Sequence, residues 1–183
     1  MIANRFIPIE TTPAGIKARD QDTAQTVLLV DVRDLDARVV GVFHPALIAV
    51  FAIVEYAGRT LAATEFVQGR SLKQLFAGEP CHPRRAAEIV SELADGVAEL
   101  HARDIVHGNI TQASAMLTAK GKARLSLTSA IGGDEILDVN ALKLVLKTIG
   151  GNPTEAVSAA QSAAVLAAAL RSSNERRTAA ERS

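Results

Sequence analysis

Of the 183 residues one is cysteine, none is tryptophan, and aromatic residues make up only 3%. A single cysteine excludes an internal disulfide, and the four histidines, at 44, 82, 101 and 107, do not have the spacing of a zinc site. No metal is expected, and a reducing, cytoplasmic compartment fits the lone thiol. Neither sign of charge is in excess, with 20 Lys+Arg against 20 Asp+Glu. That balance removes the electrostatic footprint of a phosphate-backbone binder, so no nucleic-acid partner is expected. Long hydrophobic runs are also missing. The nearest approach, 156–170, is mostly alanine and is broken by Ser158, Gln161 and Ser162, so it reads as a close-packing helix and not as a membrane span. Asn4, Arg5, Pro8 and Glu10 interrupt the first ten residues too often for a signal peptide.

What is present is an ordinary globular composition, 48% hydrophobic and 22% charged, at a length suited to one domain. The hydrophobic period changes near residue 70. Before it, short runs at 26–32, 47–56 and 59–67 predict strands in an antiparallel meander, with Tyr56-Ala57-Gly58-Arg59 as a hairpin turn. After it, Ser71 caps a short helix through Leu72, Leu75 and Phe76. A longer helix at 83–102 follows, with Ala86, Ile89, Val90, Leu93, Val97 and Leu100 on one face. Gly96 costs that helix about 1 kcal/mol relative to alanine and implies close approach of a neighbour. Short strands are expected at 105–106, 115–117 and 124–127, the last two joined by a turn at Lys120-Gly121-Lys122. A helix from Asp138 ends at Gly150-Gly151, and Asn152-Pro153-Thr154 opens the last one. Past Leu170 the chain turns polar and reads as a frayed tail.

In order and in residues, 4–151 resembles a protein kinase of the bacterial Ser/Thr type. The most specific piece runs from Glu99 through His101-Ala102-Arg103-Asp104-Ile105-Val106-His107-Gly108-Asn109-Ile110, similar to the passage from the long central helix into the catalytic loop. Phe43-His44-Pro45 resembles the His-Pro before the fourth strand, 65–72 the hinge and following helix, and Asp138-Val139-Asn140-Ala141-Leu142 the start of the buried helix of the large lobe. The resemblance implies an α+β, two-lobed, protein-kinase-like fold. It would have a reduced antiparallel β-rich small lobe at 1–68, a truncated, mainly helical large lobe at 69–170, and a polar, disordered tail at 171–183. His107 would hold the catalytic loop, and Asp138 would accept hydrogen bonds from its backbone.

The same resemblance marks departures, since phosphoryl transfer in the family needs a phosphate clamp, metal ligands and a residue that orients the nucleophile. Residues 10–15 hold one glycine where the lid has three. Val30 stands at the position of the phosphate-pairing lysine, Asn109 at the base aspartate, Thr111 and Ser114 at the lysine and metal-binding asparagine, and Leu127 at the start of the metal-binding Asp-Phe-Gly. Only eleven residues, 33–43, replace the regulatory helix, and the activation segment is similarly short. The expectation is therefore a pseudokinase and no enzyme, without a catalytic residue or cofactor. Nucleotide binding is not expected, although Lys17 or Arg19 would be the substitute cations. The function expected is protein binding as scaffold, adaptor or regulatory subunit. The alternatives are a nucleotide-sensing switch without phosphotransfer and a self-associating structural subunit. Two surfaces offer themselves for a partner protein or a second copy: the small-lobe strand at Val27 and Leu29, and the alanine face of the last helix at Ala160, Ala164 and Ala167, unless that helix packs back on the large lobe.

Overall fold

Alternating apolar residues in the first third and period-3.6 patterning in the rest divide the molecule into a sheet lobe and a helical lobe. The computed structural model describes all residues, 1–183. In chain order the strands are β1 (Phe6–Thr12), β2 (Gly15–Asp20), β3 (Thr26–Asp31), β4 (Leu47–Ile48), β5 (Val50–Tyr56), β6 (Arg59–Glu65), β7 (Gly69–Ser71), β8 (Ala115–Thr118) and β9 (Ala123–Ser126). The helices are α1 (Leu72–Leu75), α2 (Pro83–His101), α3 (Glu135–Thr148), α4 (Glu155–Ala159) and α5 (Ala163–Arg182). The small lobe is an antiparallel sheet of order β1-β2-β3-β6-β5. A second sheet, β4-β9-β8-β7, lies at the junction of the lobes, with β4 parallel to β9.

Each helix start follows from its residues. Ser71 and Gln74 form a reciprocal capping box on α1, Asp134 accepts from the Ile136 N–H of α3, and Ser162 accepts from the Val165 N–H of α5. Along α2, Ile89, Val90, Leu93, Val97 and Leu100 are fully buried. Burial of each such side chain is worth about 1.5–3 kcal/mol. A single large core runs through both lobes, from Val32, Val39, Val42 and Val50 to Leu142, Leu166 and Leu170. The predicted close approach at Gly96 is real. An added Cβ there would meet Leu47 Cδ2 at 3.0 Å and Ala46 Cβ at 3.2 Å, so α2 carries glycine where β4 lies across it.

Several elements differ from expectation. The β1–β2 hairpin is additional. Its first strand is exposed except at buried Phe6 and half-buried Thr12, which leaves no alternation to read, and Pro8, which lacks an N–H, marks a register shift in the ladder. The run at 47–56 divides at Ala49, because Leu47–Ile48 pairs with β9 and Val50–Tyr56 with β6. Residues 105–106 form no strand. The helix expected from Asp138 begins three residues earlier, behind its Asp134 cap. The last helix is two. Lys143 Nζ donates to the carbonyls of Ser158 (2.8 Å) and Ala160 (2.6 Å) at the end of α4, and Ser162 starts α5 afresh.

Residues 171–182, expected as a disordered tail, continue α5. Arg171 reaches Asp95 (2.8 and 3.1 Å), Asn174 Nδ2 donates to Arg84 O (3.0 Å), and Arg177 donates to Asn152 O (3.2 Å). These contacts hold a polar helix that propensity and burial alone would leave frayed.

The two surfaces proposed for partners are largely internal. Val27 and Leu29 are buried under Ile2, Phe6 and Ala18, so the N-terminal segment covers that face of the sheet. The segment is locked by Arg5, which donates twice to the buried Asp20 carboxylate (2.8 and 2.7 Å). That bond, opposed by burial, holds the Asp20 carboxyl down at about 2. Ala160 and Ala167 are buried and α5 packs along α2, leaving only Ala164 of that set exposed.

Candidate functional site

Two features converge where the lobes meet: a loop held from below by α3, and a cleft above it. The loop follows α2. Asp138, buried in the first turn of α3, accepts from His107 N–H (2.9 Å) and His101 Nε2 (2.9 Å) through Oδ2, and from Gly108 N–H (2.8 Å) through Oδ1. Burial works against the charged carboxylate, but these three donors outweigh it and leave its pKa below the ordinary value. His107 is fully buried. Its Nε2 lies 2.8 Å from Ser126 O and its Nδ1 lies 3.2 Å from Asn109 N. A backbone N–H needs an acceptor, so Nδ1 is unprotonated and Nε2–H donates to Ser126. Burial is the main influence on this ring and pushes its pKa down, against the upward pull of Ser126 and Asp138. At Gly108 φ is +73°, and a side chain there would collide with the Gly132 carbonyl. Asp138 thus holds the backbone of this loop at His107 and Gly108, and the His107 ring joins it to Ser126.

The cleft lies between the small-lobe sheet and β7–β9 and encloses about 320 Å³. Leu28, Val30 and Ile48 form apolar walls, Met116 lies opposite, and Thr64, Ser71, Ser114, Ser126 and Thr128 supply hydroxyls. Glu65 is its one charged lining residue. This glutamate is taken up by Arg124, whose Nη2 donates to Glu65 Oε2 (2.5 Å) and Leu47 O (2.7 Å). The bond ties the end of β6 in the small lobe to β9. The volume and lining suit a planar, mostly apolar ligand fixed by a few hydrogen bonds.

Of the family positions read from the sequence, the fold brings Val30 and Ser114 into the cleft. Asn109 and Thr111 stay on the exposed loop, where the Thr111 N–H and carbonyl both bond Ser114 Oγ (2.8 and 3.0 Å). Leu127 is buried in the core, and the cleft is reached instead by its neighbours Ser126 and Thr128, whose hydroxyls bond each other at 2.9 Å. The signal for that pair was present as alternation: Ala123, Leu125 and Leu127 point inward, which sends 124, 126 and 128 the other way. Lys17, a suggested substitute cation, stands over the Phe66 ring (4.6 Å), outside the cleft lining, and Arg19 is exposed on β2. Cys81, just ahead of α2, has its thiol pushed up by burial, with Arg85 only partly opposing.

No protein-family model matches the chain. It is similar to serine/threonine-protein kinase pkn2 of Myxococcus xanthus, 28% identical over 111 residues that take in 57% of this chain and 13% of that protein. It is also similar to serine/threonine-protein kinase PrkC of Bacillus subtilis, 23% identical over 103 residues, 54% of this chain and 16% of that protein. The chain thus spans only a small part of the length of these relatives. In structure it superposes on the kinase domain of Mycobacterium tuberculosis PknI with a TM-score of 0.73 at 15% identity, covering 94% of this chain and 97% of that one. A double mutant of the same domain gives 0.76, also at 15% identity, over 95% and 97%. Both relatives bear the name serine/threonine-protein kinase, which overturns the expectation that the chain is no enzyme.

Proposed function

We propose that this chain, a protein-kinase-like domain related to bacterial serine/threonine kinases, acts by binding another protein, as a scaffold, adaptor or regulatory unit in a reducing cytoplasmic compartment. The observation that carries this reading is the cleft. Its only charged lining residue is an acid, Glu65, already paired with Arg124, so no cation of the lining itself receives a polyphosphate, and the Lys17 ammonium stays at the rim over the Phe66 ring. The anchoring of the loop by Asp138 and His107 is retained, which supports a rigid platform at the lobe junction. No helix is long and apolar enough to cross a membrane.

A second reading, a nucleotide-responsive switch, is favoured by the size and apolar walls of the same cleft. Thermal unfolding with ATP, ADP and GTP, each with magnesium or chelator, separates the two. Binding at 100-fold excess over Kd adds about 2.7 kcal/mol, which at this length is a shift of about 5–11 °C. The expected result is no shift with any nucleotide. A shift that requires magnesium and disappears in Val30→Trp, which fills the cleft, would replace protein binding by nucleotide sensing.

A further inference from the structure

At the lobe junction, sharing Glu65 with the cleft, lies a second and larger depression of about 700 Å³. Its walls are Phe43, His44 and Pro45 on one side and the β8–β9 turn on the other, over a floor of Leu47 and Ala49. Across Phe43, Ala49 and Glu65 it continues into a neighbouring hollow of about 470 Å³, bordered by Phe51 and Phe66. Phe43 is 63% exposed, which leaves a large apolar ring in water. It stands 6.4 Å from the Phe51 ring, tilted by 37°, so an aromatic pair borders the second hollow and its Phe43 member borders the first as well.

The charges around this trough are of one sign once internal pairs are removed. Glu65 is occupied by Arg124. Lys120 and Lys122 are exposed in the turn and form no ion pair within the chain. The turn that presents them is held firmly, with Arg85 donating to the Gly121 carbonyl and Lys122 N–H donating to Thr118 Oγ1 (3.2 Å).

Resting on the protein-binding reading above, we infer that this trough is the docking surface, and that its occupant is an acidic peptide segment of the partner carrying an aromatic or large aliphatic anchor. The anchor lies against Phe43 and Phe51, and the carboxylates face Lys120 and Lys122. Length favours a peptide, since the two joined hollows are extended and open along the surface, unlike a small-molecule pocket. Charge favours an acidic one by complementarity. Two lysines are too few to hold a nucleic-acid backbone tightly at physiological salt.

The test is fluorescence anisotropy of the full chain with a fluorescein-labelled synthetic peptide of Asp and Glu around a central Phe pair. Saturable binding that weakens about tenfold in the Lys120→Glu/Lys122→Glu variant, weakens similarly in Phe43→Ser, and falls with ionic strength is expected. All three positions are exposed, so unchanged melting temperatures keep the comparison fair. Absence of binding, equal binding of the matching Lys-rich peptide, indifference to the substitutions, or tighter competition by a single-stranded oligonucleotide would each overturn the assignment. Affinity capture from cell extract with the wild-type and charge-reversed chains separates the two levels of the argument. Identical captured proteins refute the trough and leave protein binding standing, whereas no captured protein with either refutes protein binding itself.

Discussion

His107 and Asp138 carry opposite burdens of burial, and the pH behaviour of the domain follows from them. His107 is held neutral, its pKa depressed by burial, while the unfolded chain protonates its histidine near pH 6.5. Its contribution is complete above that pH. It is lost as pH falls below about 6.5 toward the folded value, because only the unfolded state then takes up the proton. Asp138 is depressed as a carboxylate, so its contribution is complete above about pH 4 and is lost at lower pH, where Asp20 adds to the fall. Urea unfolding from pH 7.5 to 5 therefore shows wild-type stability declining below about pH 6.5. In His107→Gln, stability is lower at pH 7.5 but flatter across the range. An unchanged slope in that variant would show that another group sets the dependence.

Among the elements, α2 and its crossing strand give the sharpest stability test. Gly96 faces Ala46 and Leu47 with no room for a side chain. Gly96→Leu improves helix propensity by about 1 kcal/mol yet forces β4 off the helix, and overpacking of this kind costs about 1–3 kcal/mol. The net expected is a loss, read as a lower urea midpoint at unchanged m-value; a gain would mean that β4 moves freely. The pattern of α2 was legible in advance because one face is wholly apolar. β1 was not, because nearly all its side chains face solvent and its place is set by the ladder to β2. The break between α4 and α5 was hidden for a similar reason. An alanine-rich stretch has helical propensity throughout, and only Lys143, arriving from α3, caps the Ser158 and Ala160 carbonyls there.

Across the whole molecule, the lobes share one hydrophobic core and one half-buried ion pair, Glu65–Arg124. The domain is accordingly expected to unfold in one step, with coincident transitions by far-UV circular dichroism and by Tyr56 fluorescence. Arg124→Ala removes the bonds to both Glu65 and Leu47 and lowers stability by about 1–2 kcal/mol, without splitting the transition. Two separated transitions would mean that the ion pair, and not the core, joins the lobes.

The long helix could be recognised from local pattern, and the kinase-like order of elements, the loop and its Asp138 anchor from the resemblance to the kinase family, which rests on motifs with few substitutes. The partner surfaces could not. Val27, Leu29, Ala160 and Ala167 are apolar enough to bind another chain, and whether they do depends on what already covers them. Ile2 and Phe6 cover the first pair, and α5 turns the second inward against the large lobe. Burial is a property of long-range neighbours, so the tertiary structure alone moved the exposed aromatic and basic side chains to the trough beside Phe43, Lys120 and Lys122.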